Sequence, residues 1–195
     1  MRPLAICLFA TAFAGCAITE TRHYFAPEPR DGIVPVASYS GLPEGYQYML
    51  ANLSIRAFIR EEGGRTRLHL TTALHTGQDI HLASDHVAIL TPSGAEVMSV
   101  RIGSLRRDMT FQGIGTSDIT GDDVATWQGV DGDFGPKYRD AKAPARIDAV
   151  VEFPARLPED FVLRLPAMTC QGTTLQLPDV RFQGRVGQAS TFVPP

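Results

Sequence analysis

The sequence contains none of the short motifs that mark common catalytic sites. Gly-x-Ser-x-Gly, Ser-x-x-Lys and His-Glu-x-x-His are all absent, and these patterns place the nucleophile or the metal in several hydrolase classes. The glycine-rich stretch at 113–121 has no lysine of a phosphate-binding loop. Ser84, Asp85 and His86 have the residue types of a catalytic triad, but a triad requires side chains that converge from separate elements. The sequence therefore names no reaction.

A long hydrophobic run is also missing. The N-terminal apolar run, Leu4 to Ala14, has 11 residues, whereas a membrane-spanning helix needs about 20. Met1 and Arg2 place a positive charge before it, which is typical of a secretory signal peptide. The alternative, a buried N-terminal helix of the folded domain, is disfavoured because the run has no polar helical face. We predict that residues 1–15 form a signal peptide.

The end of this run resembles the lipobox of bacterial lipoproteins. Phe13-Ala14-Gly15-Cys16 has an apolar residue and two small residues before a cysteine, although leucine is usual where Phe13 stands. The resemblance covers the signal segment alone. It implies acyl chains, such as palmitate, on Cys16 and attachment to a membrane surface. Ala17 stands where an aspartate would imply retention at the inner membrane, so the resemblance implies the periplasmic face of the outer membrane. An ordinary secretory signal cut elsewhere is the alternative.

Charge and cysteine content limit what the processed chain does. Loss of Arg2 changes 18 basic and 21 acidic residues to 17 and 21, a net charge of about −4, which argues against nucleic-acid binding. Cys170 would be the remaining thiol, so no internal disulfide is expected. We interpret it as a small, buried apolar residue.

The rest of the chain is organised as short strands. Residues 16–33 contain closely spaced prolines and no periodicity, so we predict a tether there. Residues 34–195 are predicted to form one domain. Apolar residues alternate at 53–59, 68–74 and 147–153, with glycine-containing turns between runs, which is the period of half-buried strands. Seven or eight such strands predict an antiparallel, immunoglobulin-like β-sandwich, with a small barrel as the alternative. "DVRF" at 179–182 is interpreted as an edge strand.

A glycine- and aspartate-rich segment at about 103–144 interrupts this pattern. We predict a long loop insertion, ordered against the sandwich because it also contains aromatic residues. Trp127, the only tryptophan, either anchors a partner or plugs an open edge of the domain. The same segment supplies candidate calcium ligands, because Ca²⁺ binds carboxylate oxygens on glycine-rich loops, although the EF-hand spacing is not met. These candidates are Asp118, Asp122, Asp123, Asp131, Asp133 and Asp140.

Histidines and arginines supply two further candidate sites. His69, His75, His81 and His86 lie on or near neighbouring predicted strands, where a favourable register would bring three imidazoles around zinc. The alternative is exposed strand histidines. A row of arginines on outward strand faces predicts either a positive patch for an anionic partner or a solvated face that protects strand edges. These arginines are Arg56, Arg60, Arg65, Arg67 and Arg101.

Together these features predict a lipid-anchored periplasmic protein that acts as a non-enzymatic interaction or envelope-assembly module. Its expected partners are the membrane, through Cys16, and an envelope protein or the cell wall; an inhibitor or immunity protein belongs to the same class. No cofactor is expected apart from the calcium alternative. The competing prediction is an envelope hydrolase, or a calcium-dependent binding protein, that uses two converging carboxylates of the 103–144 segment.

Overall fold

The computed structural model describes residues 17–50, 53–108, 116–119, 123–129, 131–133 and 142–192. In these ranges every regular element is a β-strand, and every strand pair is antiparallel. The predicted all-β class is confirmed. Within the same ranges there is no helix long and apolar enough to cross a membrane. The predicted signal peptide and Cys16 lie outside the described residues, so both stay predictions.

Seventeen strands occur in the described ranges, and the expected seven or eight was too low because many strands are short or lack apolar alternation. Their bounds are β1 Ala17–Pro27, β2 Ile33–Val36, β3 Gly45–Leu50, β4 Leu53–Glu62, β5 Arg65–Leu74, β6 Asp79–Leu82, β7 His86–Leu90, β8 Glu96–Arg101, β9 Ser104–Asp108, β10 Thr116–Ile119, β11 Thr126–Gln128, β12 Asp131–Asp133, β13 Lys142–Glu152, β14 Asp160–Arg164, β15 Met168–Cys170, β16 Thr173–Leu175 and β17 Val180–Phe192.

The strands form three sheets. The large sheet has the order β10-β9-β13-β5-β4-β3-β2, and β12 also pairs with β13. The terminal sheet, which contains the first and last strands, has the order β1-β17-β14-β7-β8. The small sheet has the order β11-β6-β15-β16. The three sheets contribute to one hydrophobic core, so each presents one face to the interior.

Alternation correctly predicts the inward faces of the long strands. In β4 the residues Leu53, Ile55, Ala57 and Ile59 are buried, and their neighbours Ser54, Arg56, Phe58 and Arg60 are more exposed. The hairpin between β4 and β5 turns at Gly63 and Gly64, both with positive φ, where glycine avoids a Cβ clash. Two further hairpins join β7 to β8 and β15 to β16.

The predicted tether is wrong for residues 17–27. These residues form β1, which pairs with β17 from Ala17 opposite Phe192 to Pro27 opposite Phe182. The prediction failed because the partner strand lies at the other end of the chain, and a polar two-stranded ribbon shows no apolar alternation.

The interpretation of 179–182 as an edge strand is also wrong. This stretch opens β17, which runs to Phe192 and lies between β1 and β14 in the terminal sheet.

The described part of the 103–144 segment is mostly strand rather than loop. β9 and β10 extend the large sheet beyond β13, and β11 joins the small sheet through β6. Three- and four-residue strands carry too few residues to show a period, which is why glycine and aspartate dominated the prediction.

Aromatic side chains fill the space between the large and terminal sheets. The ring of Tyr46, on β3, lies 5.6 Å from that of Phe182, on β17. Phe182 stacks on Phe161 of β14 at 5.4 Å, and Phe161 meets Phe25 of β1 edge to face at 5.3 Å. The two sheets therefore pack face to face, and the opposite face of the large sheet is left open to solvent.

Candidate functional site: a basic groove on the large sheet

The outward face of the large sheet carries a groove of about 650 Å³. Strands β4, β5 and β13 form its floor, and the segment Ala37–Tyr39 between β2 and β3 forms one wall. That segment is held in place by a turn in which the Gly41 N–H donates to the Ser38 carbonyl at 3.0 Å. Tyr39 is 95% exposed, so its ring stands free at the rim.

Strand register places the side chains of the floor in rows. Arg56 lies opposite Thr71, which lies opposite Asp148. Two residues further along β4, Phe58 lies opposite His69. Because side chains alternate between faces, every second residue of each strand points into the groove. Arg60 and Arg146 lie at opposite ends of this floor, since Arg60 pairs with Arg67 and Arg146 pairs with Ala73.

Three arginines of the groove have no carboxylate within hydrogen-bond distance among the described residues. Arg56 donates from Nε to the amide oxygen of Gln47 at 3.1 Å. The guanidinium of Arg60 lies over the Phe58 ring, 4.9 Å from its centroid, a cation–π contact that fixes its direction. Arg146 is exposed and has no hydrogen bond or ion pair within the described ranges. These groups keep N–H donors available to a ligand.

Arginines elsewhere are bound by acidic side chains. Arg67 donates to Glu152 at 2.9 Å, and Arg65 bonds the same carboxylate. The hydrogen bond from Arg67 is the main reason that the pKa of Glu152 is lowered. Similar pairs join Arg101 to Asp85, Arg164 to Asp179 and Arg181 to Asp160. Pairing with a carboxylate is thus common among the described arginines, although Arg185 bonds only the Gln183 amide and Arg30 only the Asp179 carbonyl.

Hydrogen-bonding side chains occupy the middle of the groove. Asp148 accepts a bond from the Thr71 hydroxyl at 3.1 Å, and its other oxygen lies 3.4 Å from Nδ1 of His69. Nε2 of His69 lies 3.2 Å from a carboxylate oxygen of Glu62. Asp148 is the one acidic residue among the described residues that line the groove, so three arginines leave its lining net positive.

A buried ion pair lies next to Arg60 of the groove. Glu44 is 1% exposed and bonds Arg22 of β1, while its second oxygen lies 3.9 Å from Nε of Arg60. Arg60 therefore both lines the groove and contacts the Glu44 carboxylate. Since Arg22 is on the terminal sheet, this pair also joins the two large layers.

The predicted arginine patch is divided by the fold. Arg56 and Arg60 line the groove. Arg65 and Arg67 are on the same sheet but are paired with Glu152, and Arg101 is on β8 of the terminal sheet, paired with Asp85.

The four predicted histidines lie apart. His69 is on β5 in the large sheet, and His75 comes directly after the end of β5. His81 is in the small sheet and His86 is in the terminal sheet. Nε2 of His81 lies 2.9 Å from Asp79, and Nδ1 of His86 lies 2.6 Å from Asp85. No group of three or more metal-ligating side chains occurs in the described part of the chain, and the zinc arrangement is not formed there.

Trp127 is fully buried on β11, and its indole N–H donates to the Val124 carbonyl at 2.9 Å. It fills the core and offers no surface to a partner. Cys170 is a half-buried free thiol whose pKa is raised by burial.

Most of the candidate calcium ligands cannot be placed by their side chains. Asp123 is exposed, while Asp122 and Asp140 lie outside the described residues. For Asp118 on β10, and for Asp131 and Asp133 on β12, the backbone alone is described. The calcium site and the hydrolase that would use these carboxylates therefore stay predictions.

Sequence reasoning missed Arg146, Phe58 and Tyr39 as groove residues. A signal for Arg146 was present, because inward Ile147 and Ala149 place it on the outward side of its strand. What was missing was the register that sets β13 beside β5.

Comparison of the chain with known protein families, curated proteins and solved structures finds no match.

Proposed function

We propose that this protein is a lipid-anchored, non-enzymatic interaction module of the bacterial envelope, and that it holds an anionic partner in the groove of the large sheet. One observation carries the proposal. Arg56 and Arg146 share a groove and have no carboxylate partner among the described residues, whereas arginines such as Arg67 and Arg181 are paired. Arg60, in the same groove, meets a carboxylate only at 3.9 Å, in Glu44.

Guanidinium groups suit this role for chemical reasons. Arginine stays charged at all physiological pH values and presents planar N–H donors that match carboxylate and phosphate oxygens. Charge-assisted hydrogen bonds of this kind are stronger than neutral ones. An anionic ligand would satisfy donors that the protein leaves to water.

The proposed anchor would lie directly beside the folded domain. Cys16 directly precedes β1, which is paired with β17 along its whole length. Acyl chains on Cys16 would therefore join a structured ribbon with no linker between them. We also propose that the large and terminal sheets are the two layers of an immunoglobulin-like sandwich, which the contact between Tyr46 and Phe182 supports.

The binding proposal is tested by crosslinking in intact cells. A photoreactive amino acid at Ala73, which lines the groove, should capture a partner, and Arg56→Glu together with Arg146→Glu should abolish the adduct because the groove changes sign. Arg185→Glu is the matched control, since Arg185 is exposed on β17 and bonds a neutral glutamine. Capture that survives the double substitution would contradict the proposal.

The anchor is tested separately. Cys16→Ala should release the protein from membranes and remove the acyl mass increment, because the thiol that takes the lipid is gone. Membrane attachment that persists in this variant would refute the lipobox interpretation, while leaving the groove proposal intact.

A further inference from the structure

We infer that the ligand of the groove is an acidic polysaccharide that lies along the groove, over β4, β5 and β13, rather than a small anion or an acidic peptide. This inference rests on the proposed binding function and specifies its chemistry. It follows from the spacing of the arginines, from the directions that their contacts impose, and from the mixture of groups between them.

Register sets the spacing of the three cationic residues. Arg56 and Arg60 are four residues apart on one strand, which is about 13 Å at about 3.3 Å per residue. Arg146 is two strands away from β4, and its partner Ala73 lies two residues beyond Thr71, the partner of Arg56. With strands about 4.8 Å apart, Arg146 lies about 12 Å from Arg56 and about 22 Å from Arg60 at the Cα atoms.

The side chains do not converge across these distances. Arg56 is bonded to Gln47 on β3, which directs it away from β13. The guanidinium of Arg60 is held over the Phe58 ring, and its Nε lies 3.9 Å from Glu44. A single phosphate or carboxylate would therefore reach one arginine at a time. An extended ligand with several separated anionic groups matches all three.

The groups between the arginines favour a sugar chain over a peptide. Asp148 offers carboxylate oxygens, and Thr71 and Ser54 add hydroxyls along the same floor. Sugar hydroxyls both donate and accept hydrogen bonds, so they suit this mixture of groups, whereas the side-chain carboxylates of an acidic peptide only accept. The exposed ring of Tyr39 at the rim offers an apolar face to a sugar ring.

The first test identifies the chemistry of the captured partner. The adduct formed at Ala73 in intact cells is treated with periodate, which cleaves vicinal diols, or with protease followed by heat. We expect periodate to shorten the captured species and protease to remove this protein alone. A captured species that protease degrades and periodate leaves unchanged would overturn the polysaccharide inference and leave the binding function standing.

The second test measures length and charge dependence with the full-length protein in detergent micelles. The probes are a galacturonate hexasaccharide, the disaccharide, the carboxyl-reduced hexasaccharide, poly-L-glutamate and inorganic phosphate. We expect the hexasaccharide to bind at least about tenfold more tightly than the disaccharide, because the longer chain reaches a second arginine. The carboxyl-reduced chain should show no saturable binding.

Substitutions assign this binding to the groove. Arg56→Glu and Arg146→Glu should each weaken hexasaccharide binding by about tenfold, the effect of losing one charge-assisted contact, and Arg185→Glu should not. Equal binding of disaccharide and hexasaccharide, tighter binding of poly-L-glutamate, or full competition by phosphate would refute the inference. An adduct that still forms in cells after Arg56→Glu and Arg146→Glu would instead refute the proposed function itself.

Discussion

Two adjacent tyrosines in the core predict opposite responses to the same substitution. Tyr46 and Tyr48 are both on β3, are 0% and 1% exposed, and meet edge to face with ring centroids 4.9 Å apart. The Tyr48 hydroxyl donates to the Pro178 carbonyl at 2.6 Å. The Tyr46 hydroxyl is buried and makes no hydrogen bond of good geometry among the described residues, although the Tyr48 hydroxyl is close enough to help raise its pKa. Replacing each with phenylalanine removes a single oxygen from the same strand.

The expected magnitudes follow from what each oxygen does. Tyr48→Phe leaves the Pro178 carbonyl without its donor, which costs about 1.5 kcal/mol of unfolding free energy. For a chain of this size that lowers Tm by about 3–6 °C. Tyr46→Phe removes a buried hydroxyl whose desolvation no bond offsets, so stability should be unchanged or rise by about 1 kcal/mol.

Alkaline pH gives a second readout of the same pair. Burial raises the pKa of Tyr48 from 10.0 to about 12, because the charged phenolate is disfavoured in the core. The stability that this neutral phenol contributes is fully present below pH 10 and is lost as the pH rises through about 12. Tyr48→Phe should therefore lose less stability across this window than the wild-type protein.

Urea unfolding monitored by tryptophan fluorescence measures both variants, with thermal melts at pH 7 and across the alkaline range. The reasoning fails if Tyr46→Phe is destabilised as much as Tyr48→Phe. That result would mean that the Tyr46 hydroxyl is bonded or that ring packing alone sets the cost.

Three further predictions concern two ion pairs, Glu152 with Arg67 and Glu44 with Arg22, and a glycine beside the small sheet. Hydrogen bonds from Arg67 lower the pKa of Glu152, so the stability that this carboxylate contributes is present above its unfolded pKa and is lost as the pH falls through its folded pKa. Glu152→Gln should therefore flatten the dependence of unfolding free energy on pH between about pH 5 and 3. Urea unfolding at a series of pH values measures this. Gly129→Ala should lower the free energy of unfolding by about 3 kcal/mol or more, because the added Cβ would overlap the His75 backbone carbonyl. Urea unfolding measures this, and a near-neutral effect would show that the chain beside β11 packs differently. Glu44→Ala leaves Arg22 without its buried carboxylate and should cost about 3 kcal/mol by the same assay, a cost that a purely solvated pair would not show.

The large sheet shows how far local pattern reaches. Leu53, Ile55 and Ile59 are buried, and Arg56 and Arg60 face outward, as alternation predicts. This success has a simple cause: neighbouring residues of a strand point to opposite faces, so a half-buried strand records its inward face in its own residues.

The ribbon of β1 and β17 shows where local pattern ends. Its strands pair Ala17 with Phe192, and much of the ribbon is exposed on both faces. Nothing in either segment marks the other as its partner, and polar residues with prolines nearby predicted a tether instead. Pairing between distant segments is decided by the packing of the whole chain.

The candidate site divides in the same way. The sequence by itself determined the all-β class, the inward and outward faces of the long strands, and the presence of outward arginines on β4. Only the tertiary structure decided that Arg146 lies across the same groove as Arg56, and that Arg67 is neutralised by Glu152. Side-chain alternation is a local property of the strand, whereas register and charge pairing depend on which strands lie side by side, and that choice minimises the free energy of the whole fold.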